Sequence, residues 1–290
     1  MSPFYKRPVL LVVVAIVAAA GLAVALKMSH SLGRERAITE WVKRERLQLH
    51  ETDPIGRTLV YRAAGDGRVD MLEWLKSQGA EINVVDRYGM TPMVNAALSG
   101  HVEAMVWLEA NGVAVDAPDK LGVTPMFWAA VNDRTTGALE WLKSHGAAVN
   151  VVDAQGQTPL FFAADGGNVP AMEWLKANGA DVHIKTRGGR TPMFEAAGGG
   201  HVPAMEWLKS NGLDVDTRDG GGMTPMFEAA RGRIDTDNEN RIEAMTWLKE
   251  HGAAVNVKDN AGRTPLLLTN DADAKKWLLD NGAEDHRTQR

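Results

Sequence analysis

The chain has 290 residues, of which 44% are apolar and 24% charged, and its formal net charge at pH 7 is −5. This is the composition of an ordinary globular protein with enough length for a sizeable core. The absence of cysteine excludes disulfides and cysteine-ligated metals but leaves both reducing and oxidising compartments open.

An apolar stretch without charges lies near the N-terminus. Val9 and Leu26 bound its eighteen residues, which two basic residues precede and Lys27 follows. As a helix rising 1.5 Å per residue it spans about 27 Å, close to the roughly 30 Å hydrocarbon core of a bilayer. We therefore expect residues 1–8 to form a short tail and residues 9–26 a transmembrane helix that anchors the protein.

The same stretch also resembles a cleaved secretory signal, with a small-x-small site at Ala23-Val24-Ala25. In that case the mature protein is exported. The side of the membrane is open for a related reason: basic residues are more numerous after the stretch, which by the positive-inside rule places the rest of the chain in the cytoplasm, whereas a secretory signal places it outside. The sequence predicts a single-pass membrane protein and leaves its topology undecided.

After the apolar stretch, the chain repeats one unit. A threonine, followed by proline in six of seven cases, recurs every 33 or 34 residues in five of the six intervals. The threonines are Thr58, Thr91, Thr124, Thr158, Thr191, Thr224 and Thr264. Such a period is typical of a repeat array. A tryptophan lies seventeen residues before each threonine, beginning with Trp41, so we predict a capping half-repeat at 34–50, seven repeats at 53–284 with the last one shortened, and a polar tail at 285–290.

Each repeat is predicted to contain two short helices, helix A and helix B. In the fifth repeat the Thr191 hydroxyl is expected to cap helix A, with Pro192 at its first position. Helix B ends at Gly212, a position that is glycine in every repeat and suits the left-handed residue that follows a helix. A second recurrent glycine, two residues before each threonine, predicts a tight projecting hairpin between repeats.

The combined pattern resembles the ankyrin repeat: D-x-x-G-x-T-P-x-x-x-A-A, a turn such as Gly200-His201, and an ending such as Gly252 to Asn256. The resemblance covers about residues 37–284. It implies an all-α fold, an ankyrin-repeat α-solenoid with projecting β-hairpin loops, here joined to one N-terminal transmembrane helix. Two departures are clear: the family's histidine after the proline is Phe, Val or Leu, and its late helix B leucines appear as Trp-Leu-Lys. We expect the eight helix B tryptophans to form a buried ladder between repeats.

No arrangement typical of an enzyme is present in the sequence. The histidines do not pair at metal-ligand spacing, and there is no nucleophile elbow or phosphate-binding glycine loop, so we predict no catalytic residue, cofactor or metal. Asp235, Asp237 and Glu239 resemble the start of a calcium loop, but Asn240 stands where that loop needs glycine. A solvated loop of hydrophilic residues across the insertion 231–241 is the better interpretation.

A protein partner is the remaining expectation. Residues 28–290 hold 29 basic and 37 acidic side chains, a net charge of −8, which disfavours nucleic acid. The resemblance implies a concave face lined by the hairpins and the ends of helix A. Its candidate residues are Ile55, Tyr88, Met90, Leu98, Leu121, Val123, Val131, Arg187, Arg190 and Arg263.

The early repeats place apolar side chains on this candidate face, and the later repeats place arginines there that suit an acidic partner. Exposed apolar patches mark partner sites, although packing of neighbouring hairpins against one another is an alternative explanation. We predict a monomeric, membrane-tethered, non-catalytic scaffold that binds proteins through this face. The alternative is an exported ankyrin-repeat protein that binds or protects a partner outside the cytoplasm.

Overall fold

The structure, a computed structural model, describes residues 33, 36–42, 51–133, 135–232 and 238–284. The predicted tail 1–8, the predicted membrane span 9–26, much of the half-repeat 34–50 and the polar tail 285–290 lie outside these residues. None of the described helices is both long and apolar enough to cross a membrane.

The described helices alternate between the two predicted kinds. Helix α1 covers 36–42 in the half-repeat. The helix A series consists of α2 (Leu59–Gly65), α4 (Pro92–Leu98), α6 (Pro125–Val131), α8 (Pro159–Asp165), α10 (Pro192–Gly199), α12 (Pro225–Arg231) and α14 (Pro265–Leu268). The helix B series continues with α3 (Val69–Ser77), α5 (Val102–Ala110), α7 (Thr136–Ser144), α9 (Val169–Ala177), α11 (Val202–Ser210), α13 (Asn238–Glu250) and α15 (Ala272–Asp280).

The helices stack as a solenoid. Each helix A packs against the helix A next to it in the stack, on both sides for α4 to α12, and against helix B of its own repeat. The paired alanines of helix A, such as Ala196 and Ala197, are 0% and 1% exposed, because their small side chains let the neighbouring helix approach closely. The prediction of an α-solenoid from the repeat period is confirmed.

The prediction that threonine hydroxyls cap helix A is wrong for Thr191 and for the five other threonines that precede proline. Their hydroxyls are buried and have no hydrogen-bond partner within the described residues. The Thr191 carbonyl instead accepts the Phe194 amide at 3.0 Å in a tight first turn. Only Thr58, which precedes leucine, receives an amide on its hydroxyl, from Tyr61 at 3.4 Å.

Both recurrent glycines take the left-handed conformation that the sequence predicts. Gly212, after helix B, has φ of +90°, and Gly189, in the loop before helix A, has φ of +80°. Side chains at such φ values are strained, which explains why the two positions are glycine in every repeat.

The tryptophan ladder forms but is only partly buried. Trp41, Trp141 and Trp247 are 4%, 9% and 8% exposed, while the other five are half-buried and pack against the core. The indole of Trp41 in α1 donates to the Asp66 carboxylate at 2.9 Å, which attaches the half-repeat to the first full repeat. The fully buried aromatic layer lies instead in helix A, at Phe127, Phe161 and Phe194.

The insertion and the shortened last repeat meet at the C-terminal end. Residues 238–241 of the insertion are helical and extend α13, which corrects the expectation of a solvated loop at that end; residues 233–237, with Asp235 and Asp237, lie outside the described part. Arg241 is only 7% exposed and contacts Asp271, the N-cap of α15, at 2.8 Å. This ion pair joins the last two repeats.

Candidate functional site

Seven five-residue loops precede the helix A threonines and all have one internal geometry. They are loops 1 to 7, at 53–57, 86–90, 119–123, 153–157, 186–190, 219–223 and 259–263. In loop 2 the Asp86 amide donates to the Met90 carbonyl at 3.0 Å, and one Asp86 carboxylate oxygen accepts the amides of Tyr88 and Met90 at 2.8 and 3.0 Å. Aspartate makes the same pair of bonds in every loop except loop 5. No β-strand is present in the described residues, so the loops are closed turns and the predicted β-hairpins are wrong.

Hydrogen bonds also join each loop to the one before it. The amide of the second residue donates to the carbonyl of the third residue of the preceding loop at all six junctions, at 2.7 to 2.9 Å. We call this series the loop ladder. Loop 1 alone has proline, Pro54, at the second position. Proline has no amide hydrogen to donate, and no described loop precedes loop 1 to accept one. The ladder therefore holds the exposed loop side chains in fixed relative positions.

Replacing Ala154 with proline tests the ladder. The Ala154 amide donates to the Leu121 carbonyl at 2.7 Å, and proline removes that donor while suiting the second position of a turn. We expect the free energy of unfolding in a urea melt to fall by about 1 kcal/mol. Ala154→Ser, which keeps the amide, is the control, and equal stability of the two variants would mean that the ladder bond contributes nothing.

The predicted apolar residues of the loops differ in exposure. Tyr88 and Leu121, each the third residue of its loop, are 44% and 56% exposed. Ile55 and Met90 are half-buried. Val123, the fifth residue of loop 3, is 5% exposed, so it belongs to the core and not to a surface open to a partner.

Two exposed apolar residues beside these loops were missed by the sequence reasoning. Val85 and Val152 are 57% and 51% exposed, and each immediately precedes a loop aspartate. The signal was available, because the same position carries a charge in the last three repeats, at Lys185, Arg218 and Lys258. We call Val85, Tyr88, Leu121 and Val152 the apolar loop patch.

Leu98 and Val131 lie away from the apolar loop patch. They are the last residues of α4 and α6, whereas the loops precede the first residues of these helices. Seven residues of helix span about 10 Å, which separates the two ends. Leu98 and Val131 line a different groove, of about 530 Å³, together with Asn168 and Pro170. The predicted single apolar patch is thus divided between two ends of helix A.

Arg190 is held by carboxylates of two repeats. Its guanidinium lies 3.2 Å from Glu195 and 2.9 Å from Glu228 and covers the Phe194 ring at 5.0 Å. Arg231 approaches Glu228 at 3.9 Å. Glu195 is 8% exposed; burial raises its pKa, Arg190 opposes the increase, and Glu228 adds to it.

The other two predicted arginines, Arg263 and Arg187, differ in whether a carboxylate pairs with them. Arg263 contacts Asp259 of its own loop at 2.7 Å. Arg187 is exposed and makes no side-chain ion pair with any residue of the described ranges. Arg187 is therefore the predicted arginine whose charge is available to a partner.

A groove of about 580 Å³ lies between loops 4 and 5 and the helix A beneath them. Six of its residues carry polar side chains: Gln155, Gln157, Thr186, Arg187, Arg190 and Glu195. In helix A of the two preceding repeats, α6 and α8, the position of Glu195 is occupied by Trp128 and Phe162. Their rings contact edge to face at 5.7 Å between centroids. The polar groove thus continues from an aromatic segment of the same face.

The arrangement is suited to recognition. The loop ladder fixes exposed apolar and cationic groups, and no cluster of three potential metal-ligating side chains is found within the described part of the chain.

The family models that match are of repeats: ankyrin repeats (many copies) match residues 60–109, and ankyrin repeats (3 copies) match residues 106–186 and 165–259.

The chain belongs to the ankyrin-repeat family. Its fold is similar to the crystal structure of the human ASB11 ankyrin repeat domain, with a TM-score of 0.56 and 26% identity over 79% of this chain and 100% of that one. No curated protein matches the sequence. Ankyrin repeats are generally protein-protein interaction domains, and no catalytic family is indicated.

Proposed function

We propose that this ankyrin-repeat protein is a non-catalytic scaffold that binds a protein partner on the face formed by its loops and helix A. The observation that supports this most is the exposure of Tyr88 and Leu121, 44% and 56%, on neighbouring loops that the ladder joins by the Lys120 amide and the Tyr88 carbonyl at 2.9 Å. Apolar groups held on a rigid backbone lose less conformational entropy on binding, and the buried centre of an interface is more apolar than its rim.

The proposal includes the predicted anchor. The apolar stretch 9–26 supports a single-pass tether, which would raise the effective concentration of the repeats near membrane-bound partners. The alternative is export after cleavage, and N-terminal sequencing of the mature protein separates the two. The repeat domain is proposed to act as a monomer and without nucleic acid.

The double variant Tyr88→Ala with Leu121→Glu tests the binding face. We expect it to lose crosslinked partner capture from membranes by more than about tenfold, with an unchanged thermal melt because both side chains are exposed. Val106→Glu is the matched control: Val106 is 48% exposed but lies on helix B. Equal capture by both variants would reject the loop face, and a joint loss of capture and stability would mean that Tyr88 and Leu121 are structural.

A further inference from the structure

Loop 5 departs from the other six loops in its charge. Its first residue is Thr186, whose hydroxyl accepts the Arg190 amide at 3.1 Å, where the other loops have an aspartate that accepts two amides. The turn therefore forms without a carboxylate. Since Arg187 and Arg190 both belong to this loop, the substitution leaves two cations without the acidic residue that each other loop contains.

Carboxylates near loop 5 pair with one of these two cations and leave the other available to bind a partner. Arg190 is occupied by Glu195 and Glu228, and Arg231 supplies a second cation to Glu228. Glu195 lines the groove floor, but it is 8% exposed and paired with Arg190. Arg187 lies at the groove and makes no side-chain ion pair with a described residue. Its backbone is held in place because its amide donates to the Gln155 carbonyl at 2.9 Å.

Uncharged polar side chains line the same groove as Arg187. The side chains of Gln155 and Gln157 line it from loop 4, and each offers an amide that can donate to an oxygen or accept from a peptide N–H. A guanidinium with neighbouring amide donors is suited to a carboxylate, because charge-assisted hydrogen bonds are the stronger ones. The chemistry of the groove thus favours an acidic side chain over an apolar one.

We infer that the groove between loops 4 and 5 binds an acidic side chain of an extended partner segment whose apolar residues lie on the apolar loop patch. This inference rests on the proposed function and specifies the partner. From Leu121 in loop 3 to Arg187 in loop 5 there are two repeat steps of about 8–10 Å each. At about 3.3 Å per extended residue, the partner segment places its carboxylate about five or six residues from a large apolar residue.

Random peptides displayed on phage, long enough to span four repeats, are the probe for this site. Selection on the full-length wild-type protein should enrich peptides with a large apolar residue and an Asp or Glu at about that separation. A selected peptide should bind about tenfold more weakly when its acid is replaced by the corresponding amide, and its affinity should fall with added salt.

Thr186→Asp is the decisive variant. It restores the residue found in the six other loops, so the fold should be retained or stabilised, but it adds a negative charge next to Arg187 that weakens the attraction of Arg187 for a second carboxylate. We expect it to lose the preference for the acidic residue and to keep the preference for the apolar one, with Arg187→Gln behaving likewise. Asp219→Thr makes the reverse exchange in loop 6 and should leave the preference for the acidic residue unchanged.

Each outcome decides the inference. Wild-type selection without an acidic preference, or the same preference in Thr186→Asp, overturns the acidic site while the proposed function stands, provided that Leu121→Glu abolishes peptide binding. If Leu121→Glu and Tyr88→Ala leave binding intact, or no peptide is enriched on the wild type, the proposed function fails as well.

Discussion

Replacing Phe127 with alanine is expected to lower the free energy of unfolding by about 3–5 kcal/mol. The Phe127 side chain is fully buried in α6, and its ring meets that of Phe162 in the next repeat edge to face at 5.0 Å. The variant therefore loses burial of a large apolar side chain, leaves a cavity between two repeats and removes an aromatic contact worth about 0.5–1.5 kcal/mol.

Trp174→Ala is the informative comparison for this prediction. Trp174 lies in the tryptophan ladder but is only half-buried, so its truncation should cost less than that of Phe127. Urea unfolding followed by circular dichroism measures both, and hydrogen exchange is needed beside it because repeat arrays can unfold in parts. A larger loss for Trp174→Ala would show that the outer tryptophan layer, and not helix A, carries the main core.

The repetitive part of the fold could be predicted from the sequence because one backbone requirement appears many times. A single glycine such as Gly212 is weak evidence for a left-handed residue, but glycine at the same position of seven repeats indicates that the conformation itself is required. The helices follow from the same reasoning, since the spacing of Thr-Pro and Trp-Leu-Lys fixes where each begins and ends. Prediction succeeded where the determinant lies within one repeat.

Exposure within the loops could not be predicted, because it depends on the path of the turn. Leu121 and Val123 are apolar residues two positions apart in one loop, yet they are 56% and 5% exposed. The sequence assigns both to the same loop and gives no reason to separate them. Only the three-dimensional turn shows that the third residue points to solvent while the fifth is buried in loop 3.

The ion pairs of Arg190 with Glu195 and Glu228 were missed for a different reason. Arg190 and Glu228 are 38 residues apart and contact each other only because consecutive repeats stack. A signal was present, since Glu195 and Glu228 occupy one helix A position in two adjacent repeats, where a buried carboxylate needs a partner. Because Arg190 is paired in this way, the site we propose rests on Arg187.

The overall acidity of the chain is therefore a poor guide to its loop face. Six loops contain an aspartate, but each carboxylate is hydrogen-bonded to two amides of its own loop, and Asp86, Asp153 and Asp259 are at most 6% exposed. For Asp53, burial pushes the pKa upward, but the amides of Arg57 and Ile55 and the nearby Arg62 outweigh it and lower the pKa. The loop carboxylates accept amides of their own turns, so the exposed cations and apolar side chains are the loop groups that we propose for partner contact.

Replacing Asp271 with asparagine is expected to lower the free energy of unfolding at neutral pH by about 3 kcal/mol, the lower end of the range for a broken buried pair. Arg241 is 9% exposed in its side chain and lies 2.8 Å from Asp271, which keeps 23% exposure. Asparagine still caps α15 by accepting the Ala274 amide, as Asp271 does at 2.8 Å. The expected loss therefore comes from leaving the buried Arg241 without the charge of Asp271.

The pH dependence of this variant separates the charge from the cap. The Ala274 amide, the largest cause, and then Arg241 lower the pKa of Asp271 against the opposing effect of burial. Because its folded pKa lies below the ordinary 3.8, Asp271 contributes stability that is fully present above that value and is lost as the pH falls through the folded pKa. Wild type and Asp271→Asn should therefore differ at neutral pH and converge in acid, whereas Asp280→Asn, on the exposed end of α15, should follow the wild type throughout. Parallel pH profiles for wild type and Asp271→Asn would show that the ionised Asp271 does not stabilise the junction between the last two repeats.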